Sequence, residues 1–466
     1  MIIQPSRFVF VFALLTSIAL YFWPTPNVMD QRIFEAAAVI IMAVGLWSTA
    51  VIPSFFGSLI FMFVAVILSI APPKVVFSGF HSGATWLVFG GLIFGLGVRK
   101  TGLDTRLVKS FLRYFPRFYT VIIYGVFWIG TALAFIVPSS SGRVAVLVPI
   151  MAALAKELGF GDPKNGGGKG RTGLILAASM GTMVPAFGIL PSNVPNMALF
   201  GAADSVLDIQ LTFGECFLLN FPVMGFFPLL VYPAIIAFLF NDIPNYPKLR
   251  ESKEGWSSDE KRLLVILMFA LLLWITDTFH NISPAWVSLG AAIVCMLPKV
   301  GVLKSSILGG EINYGPVLFV VGVIGLGAIA NYAGLGDLIG QNIIDLFDFQ
   351  KGQNFLNYIY ISLTGMIIGL FTTMPAQPAI IVSMTSVLSE ATGWSHFSVI
   401  MTSLTAWGVF PFFYQTPPVV VAVALGNLNI MDVTKMLVTY MFAGILIMLP
   451  LHFLWGQYLG VFVVNS

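Results

Sequence analysis

Charge is what this sequence has least of. Only 9% of its 466 residues are Asp, Glu, Lys or Arg, against roughly 25% in a soluble domain. A chain this poor in charge cannot cover a water-facing surface, which excludes an ordinary soluble enzyme. The net charge of +3 is too small to mark a nucleic-acid binder. Cysteine is nearly absent. Cys216 and Cys295 sit in apolar runs far apart in sequence, which argues against a disulfide framework or a cysteine-based metal site. His81, His396 and His452 show no metal-ligand spacing. Gly166-Gly167-Gly168 lacks the Lys-Ser or Lys-Thr pair of a phosphate-cradling loop, so ATP drive is not supported. An intramembrane enzyme would need a catalytic His, Asp or Ser-Lys constellation in apolar surroundings, and the sequence offers none.

What is there instead is apolar. Hydrophobic residues make up 58% of the chain, 42 of them Phe, and the mean hydropathy is +0.93. Many runs are long enough to cross about 30 Å of hydrocarbon. The first, from Phe8 to Trp23, ends in Tyr21, Phe22 and Trp23 rather than in small residues, and reads as a spanning helix and not a cleaved signal. Spans are expected at 8–24, 33–50, 54–71, 84–99, 173–201 (broken), 213–240, 263–280, 285–299, 314–333, 396–427 (broken) and 436–460. Residues 118–157 and 354–391 each have two apolar arms around a polar or proline-containing tip and read as re-entrant helical hairpins.

Counted from Arg7, three stretches fall on one side: 99–117, with six Lys or Arg; 156–171, with Lys156, Lys164, Lys169 and Arg171; and the linker 241–262. Their counterparts in the second half are poor in basic residues: 336–354 holds only Lys351 beside Asp337, Asp345 and Asp348, and 390–396 holds none. The positive-inside rule then places the two hairpins on opposite faces. Sequence echoes agree: Thr101-Gly102-Leu103 matches Ala333-Gly334-Leu335, and Met197-Ala198-Leu199-Phe200-Gly201 matches Val423-Ala424-Leu425-Gly426. The expected fold is an all-α polytopic membrane protein of about eleven transmembrane helices plus two re-entrant helical hairpins in an inverted-topology repeat. Residues 1–240 form the first repeat with the N-terminal helices, 241–262 a cytoplasmic linker and 263–466 the second, inverted repeat, all within one membrane domain.

Four places interrupt the apolar pattern, two in each half: Pro138 to Arg143, Leu190 to Asn196, Thr372 to Pro378, and Tyr414 to Pro418. Unpaired backbone inside hydrocarbon costs several kcal/mol unless it is buried in protein or faces a wet cavity. Paired interruptions in two halves point to a transporter's binding site near the bilayer midplane. The candidate substrate-binding residues are Ser139, Ser140, Ser141, Arg143, Asn193, Asn196, Gln377, Thr416 and Pro417. Arg143, one turn beyond the serine tip in an apolar arm, is either a guanidinium fork for a carboxylate, sulfonate or sulfate, or half of a structural ion pair. For the other polar residues the rival reading is that they kink helices and bond back to their own backbone.

The order of hairpin, broken helix, spanning helix and charged linker, then the same again inverted, resembles the divalent anion:sodium symporters (solute carrier family 13) of the ion transporter superfamily. The family's hairpin tips carry Ser-Asn-Thr; here Ser139-Ser140-Ser141, followed by Pro149, and Ala376-Gln377-Pro378 stand in those places. Asn193-Val194-Pro195-Asn196 and Thr416-Pro417-Pro418-Val419 occupy the unwound stretches. The resemblance implies sodium as coupling ion, with oxygens from Ser139, Ser140, Asn193, Thr372, Gln377 and Gln415. It also implies a small anionic substrate, elevator movement, a homodimer in a bacterial-type plasma (inner) membrane and no other cofactor. An anion exchanger or a sodium/proton antiporter of the same superfamily is the alternative.

Overall fold

The computed structural model describes residues 5–24, 28–49, 51–103, 106, 118–135, 139–161, 168–244, 255–372 and 374–464. Among these, all regular structure is helical. Most of the basic loop 99–117, the loop around Lys164, much of the linker, and Pro138 and Thr373 lie outside the described residues.

Helices match the expected spans to within a few residues. Pro5–Tyr21, Val28–Thr49, Ser54–Ile67 and Gly83–Thr101 lead into the first hairpin, whose arms are Tyr119–Ala134 and Ser140–Glu157. The first broken helix has arms Lys169–Met183 and Val194–Leu207, and Phe213–Leu239 closes the half. The second half opens with Ser258–Ile275, Pro284–Met296 and Gly315–Tyr332. Its hairpin has arms Asn354–Phe371 and Gln377–Thr392, its broken helix has arms His396–Ser403 and Pro417–Gly426, and Ile430–Tyr458 ends it. One helix, Leu335–Leu346, was not expected; its Asp337 and Asp345 read as loop, whereas the structure packs Leu335, Gly336 and Gly340 inward on an amphipathic helix.

The two halves share details beyond element order. Gly102 and Gly334 both take left-handed backbone, φ 75° and 76°, a conformation that glycine adopts without steric cost. The second arms of the broken helices both end in a left-handed residue, Asp208 and Asn427. The closing helices both contain a five-residue π-helical stretch, Phe221–Gly225 and Gly444–Met448.

Contacts fix the sense of the repeats. Arg171, at the start of the first broken helix, donates to the Gly426 carbonyl (2.7 Å), and Met183, at the end of that arm, meets the Thr416 hydroxyl (3.0 Å). Lys169–Met183 therefore runs antiparallel beside Pro417–Gly426. A first arm beside the other half's second arm is what two repeats of opposite sense produce. The exchange is mutual: Val194–Leu207 packs on the second hairpin, and Pro417–Gly426 packs on the first.

Prolines inside these helices leave carbonyls without a helical donor. Tryptophans supply it. Trp455 Nε1 donates to the Leu218 carbonyl, four residues before Pro222, at 2.9 Å. Trp128 Nε1 donates to the Leu229 carbonyl, four before Pro233, at 3.2 Å. Such neighbours are what make proline tolerable where no water can reach the backbone. Large apolar side chains such as Phe12, Phe63, Ile67 and Phe238 face outward, as a lipid-facing surface requires. One large apolar cluster joins both hairpins and both broken helices. A smaller one binds the helices at 28–67 to Gly315–Tyr332 and the tip of the second hairpin.

Candidate functional site

The first hairpin turns into its second arm at Ser139, whose hydroxyl accepts from the Gly142 amide (3.2 Å) and caps the helix. Ser140 is buried; Ser141 is half-buried. Arg143 is only 2% exposed. Its guanidinium donates to Ser140 Oγ (3.0 Å), to the Ser192 carbonyl (3.1 Å) and to the Thr182 carbonyl. It thereby ties the hairpin tip to the last turn before the first break and to the break itself. The planar fork suits this task, because one group reaches several oxygens at fixed angles.

The first break runs through two short 3-10 turns, Pro185–Gly188 and Leu190–Ser192. Asn193 caps the helix that follows, its Oδ1 accepting from the Asn196 amide (2.9 Å) while its Nδ2 donates to Ala186 O (2.9 Å). Asn196 Nδ2 reaches Ala186 O, Phe187 O and Ile189 O. Two asparagines thus satisfy the carbonyls that the break exposes. Asn196 Oδ1 itself is buried without a hydrogen-bond partner, beside a cavity of about 10 Å³ lined also by Gly188, Cys216 and Asn220. That is room for about one water.

The second half repeats the theme with glutamines. Gln377 Oε1 accepts from the indole N–H of buried Trp407. Gln415 Nε2 donates to Gly369 O (2.7 Å), its Oε1 accepts from the Phe412 amide (3.0 Å), and its carbonyl accepts from Met374 N (2.9 Å). Gly369 lies between the two glutamines, and a Cβ there would stand 2.3 Å from Gln377 Nε2. Thr372 is buried and bonds back to Ile368 O (3.0 Å). Thr416 is buried, but Pro417 is exposed. The two breaks meet: the rings of Phe187 and Trp407 lie 5.9 Å apart, and Thr416 reaches Met183.

Of the oxygens expected to hold sodium, Ser139 Oγ, Ser140 Oγ, Asn193 Oδ1, Gln377 Oε1 and Gln415 Oε1 each already accept a donor from the chain. The sixth, Thr372 Oγ1, donates to the Ile368 carbonyl.

The structure also brings in residues the sequence reading passed over. A cleft of about 60 Å³ separates the first hairpin from the helix Gly83–Thr101, with Ser139, Gly142 and Arg143 on one wall and Gly91, Gly95 and Arg99 on the other. The spacing 91, 95, 99 is one helical face, but only tertiary packing sets it opposite Arg143. Asp277 is buried and accepts from the Phe213 amide (2.5 Å) and the Gly214 amide (3.3 Å). His452 is buried between the Tyr358 hydroxyl (2.8 Å) and Asn220 Oδ1 (3.2 Å).

With this geometry in hand, comparison with known proteins is decisive. The profile of the family described as "Sodium:sulfate symporter transmembrane region" matches residues 6–462. The chain belongs to the sodium:sulfate symporter family. Among curated relatives of this symporter-family chain, a "Membrane protein" of Cupriavidus necator is 24% identical over 276 residues, 57% of this chain and 53% of the relative. The L-tartrate/succinate antiporter of Escherichia coli K12 is 28% identical over 208 residues, 42% of each chain. The chain therefore spans about half the length of the curated relatives it matches. Among solved structures, the Alcanivorax borkumensis YdaH transporter superposes with a TM-score of 0.54 over 98% of both chains at 13% identity, a likeness of fold alone. Membership places this chain in a family of multi-pass membrane transporters rather than enzymes, and four helices among the described residues are long and apolar enough to cross a membrane.

Proposed function

We propose that this transporter is a secondary active carrier of a small anion such as a dicarboxylate, sulfate or sulfonate, with its site where the four interruptions meet. The observation that carries this reading is Arg143: a fixed positive charge, buried at the first hairpin tip and bonded to both edges of the first break. A buried guanidinium in a membrane domain normally marks a substrate or ion path. The other candidates, Ser139, Ser140, Ser141, Asn193, Asn196, Gln377, Thr416 and Pro417, line or shape that meeting point. Sodium symport is the coupling that the family suggests, and in this reading the tips reorganise to free the oxygens that now accept from the chain. Movement is of the elevator type, hairpins and broken helices sliding against the remaining helices, and the carrier works as a homodimer. Exchange of one anion for another is the second reading. It is favoured by the relative named as an antiporter and by Arg143 bonding Ser140, where it repels a cation.

Proteoliposomes separate the two. Uptake of labelled sulfate and succinate is measured with and without an inward sodium gradient, and with and without unlabelled anion inside. Symport requires uptake into anion-free vesicles that rises with external sodium. Uptake only into anion-loaded vesicles, indifferent to sodium, selects exchange. No uptake of any small anion in either format contradicts the carrier reading.

A further inference from the structure

We infer that the cleft between Gly83–Thr101 and the first hairpin is an anion-capture site, in which Arg99 receives a compact dianion and delivers it to Arg143. The inference rests on the small-anion carrier reading and adds to it a residue, a route and a charge class.

Among the described residues, the cleft is lined by two arginines and by no acidic residue. Arg143 forms its buried end. Arg99, exposed, stands at the mouth and makes no hydrogen bond or ion pair among the described residues. Its neighbour Lys100 is engaged with Glu311 and does not line the cleft. A guanidinium without a counter-ion, facing a cleft whose far wall holds a second one, raises the local concentration of anions. At about 60 Å³ the cleft has room for about four to six waters. That suits a compact dianion better than an extended one. Gly91 and Gly95 add no side chain to a wall that Leu92 and Val98 of the same helix make apolar between the two arginines.

Among the described residues, the second repeat shows no such device. Counted from the left-handed glycines Gly102 and Gly334, the position equivalent to Arg99 is Asn331. Counted from the hairpin caps Ser139 and Ala376, the position equivalent to Arg143 is Ile380. There the helix Gly315–Tyr332 packs directly on the second hairpin, and a Cβ at Gly327 would stand 3.2 Å from Ala379 Cα. The two-arginine cleft therefore serves one membrane face only, and capture is one-sided.

The test is transport kinetics of Arg99→Gln and Arg99→Lys, full length, in vesicles of phosphatidylcholine with the orientation of insertion determined. Losing one exposed charge from the dianion's path is expected to raise the half-saturating concentration about five- to tenfold at low ionic strength. This shift appears at one face, leaves the maximal rate unchanged and shrinks with added salt as exposed charges are screened. Arg99→Lys keeps most of the wild-type affinity, because a point charge suffices for capture. Lys100→Gln removes an equal charge one residue away and leaves the kinetics unchanged. Equal half-saturation for Arg99→Gln and wild type at both faces overturns the inference. An effect seen only when anionic lipid is added also overturns it, since Arg99 then binds a headgroup. Absence of anion transport by the wild type is a separate outcome: it removes the carrier reading, and the capture site with it.

Discussion

Asn193, Asn196 and Gln415 carry amides whose expected role was to face a ligand. In the structure they close main-chain carbonyls that the breaks would otherwise strand, at Ala186, Phe187, Ile189 and Gly369. A buried polar group left unpaired costs about 1–3 kcal/mol, so a broken helix needs such ties before it can bind anything. The type of residue at a break is legible in sequence; the direction in which its amide points is not. Arg143 illustrates the same limit. Its placement beside the tip followed from the sequence, yet its partners, the Thr182 and Ser192 carbonyls, come from the first broken helix, 39 and 49 residues on. Arg143→Lys keeps the charge but cannot reach Ser140, Ser192 and Thr182 together. It is expected to lower the thermal midpoint of the purified protein and to weaken sulfate- or succinate-induced thermal stabilisation by about tenfold in concentration. An unchanged midpoint and unchanged anion response would return Arg143 to a bystander.

At the scale of elements, the hairpins, breaks and spans were readable because each rests on local composition: a run of apolar residues, a proline, a polar tip. The π-helical stretches at 221–225 and 444–448 were not readable, because one widened turn leaves the apolar pattern almost unaltered. Leu335–Leu346 was missed because its two acids, Asp337 and Asp345, masked an amphipathic face. The opposite sense of the halves was expected from basic loops that lie mainly outside the described residues. The antiparallel pairing through Arg171–Gly426 and Met183–Thr416 reaches the same arrangement from independent contacts. Exposed Phe118 and exposed Lys351 lead into the two hairpins. Single cysteines at these positions in a cysteine-free background should react with an impermeant maleimide from opposite sides of the membrane. Reaction from the same side would contradict the inverted repeat.

For the whole molecule, the two repeats are alike in order but unequal in chemistry. The first holds Arg143, Arg99 and a cleft; the second holds Gln377 locked to Trp407 and a hairpin packed shut. Such inequality is expected of a carrier caught with its site reached from one side. It is not expected of a pore, which must be continuous. The family agrees with a carrier, while the substrate rests on the site alone. The most direct test is counterflow: proteoliposomes loaded with millimolar unlabelled sulfate or succinate, diluted into trace labelled anion, with equal sodium on both sides. A carrier alternating between faces gives a transient accumulation of label above equilibrium, and Arg143→Gln should abolish it. Label that rises only to equilibrium, at a rate indifferent to the internal anion, would contradict the account.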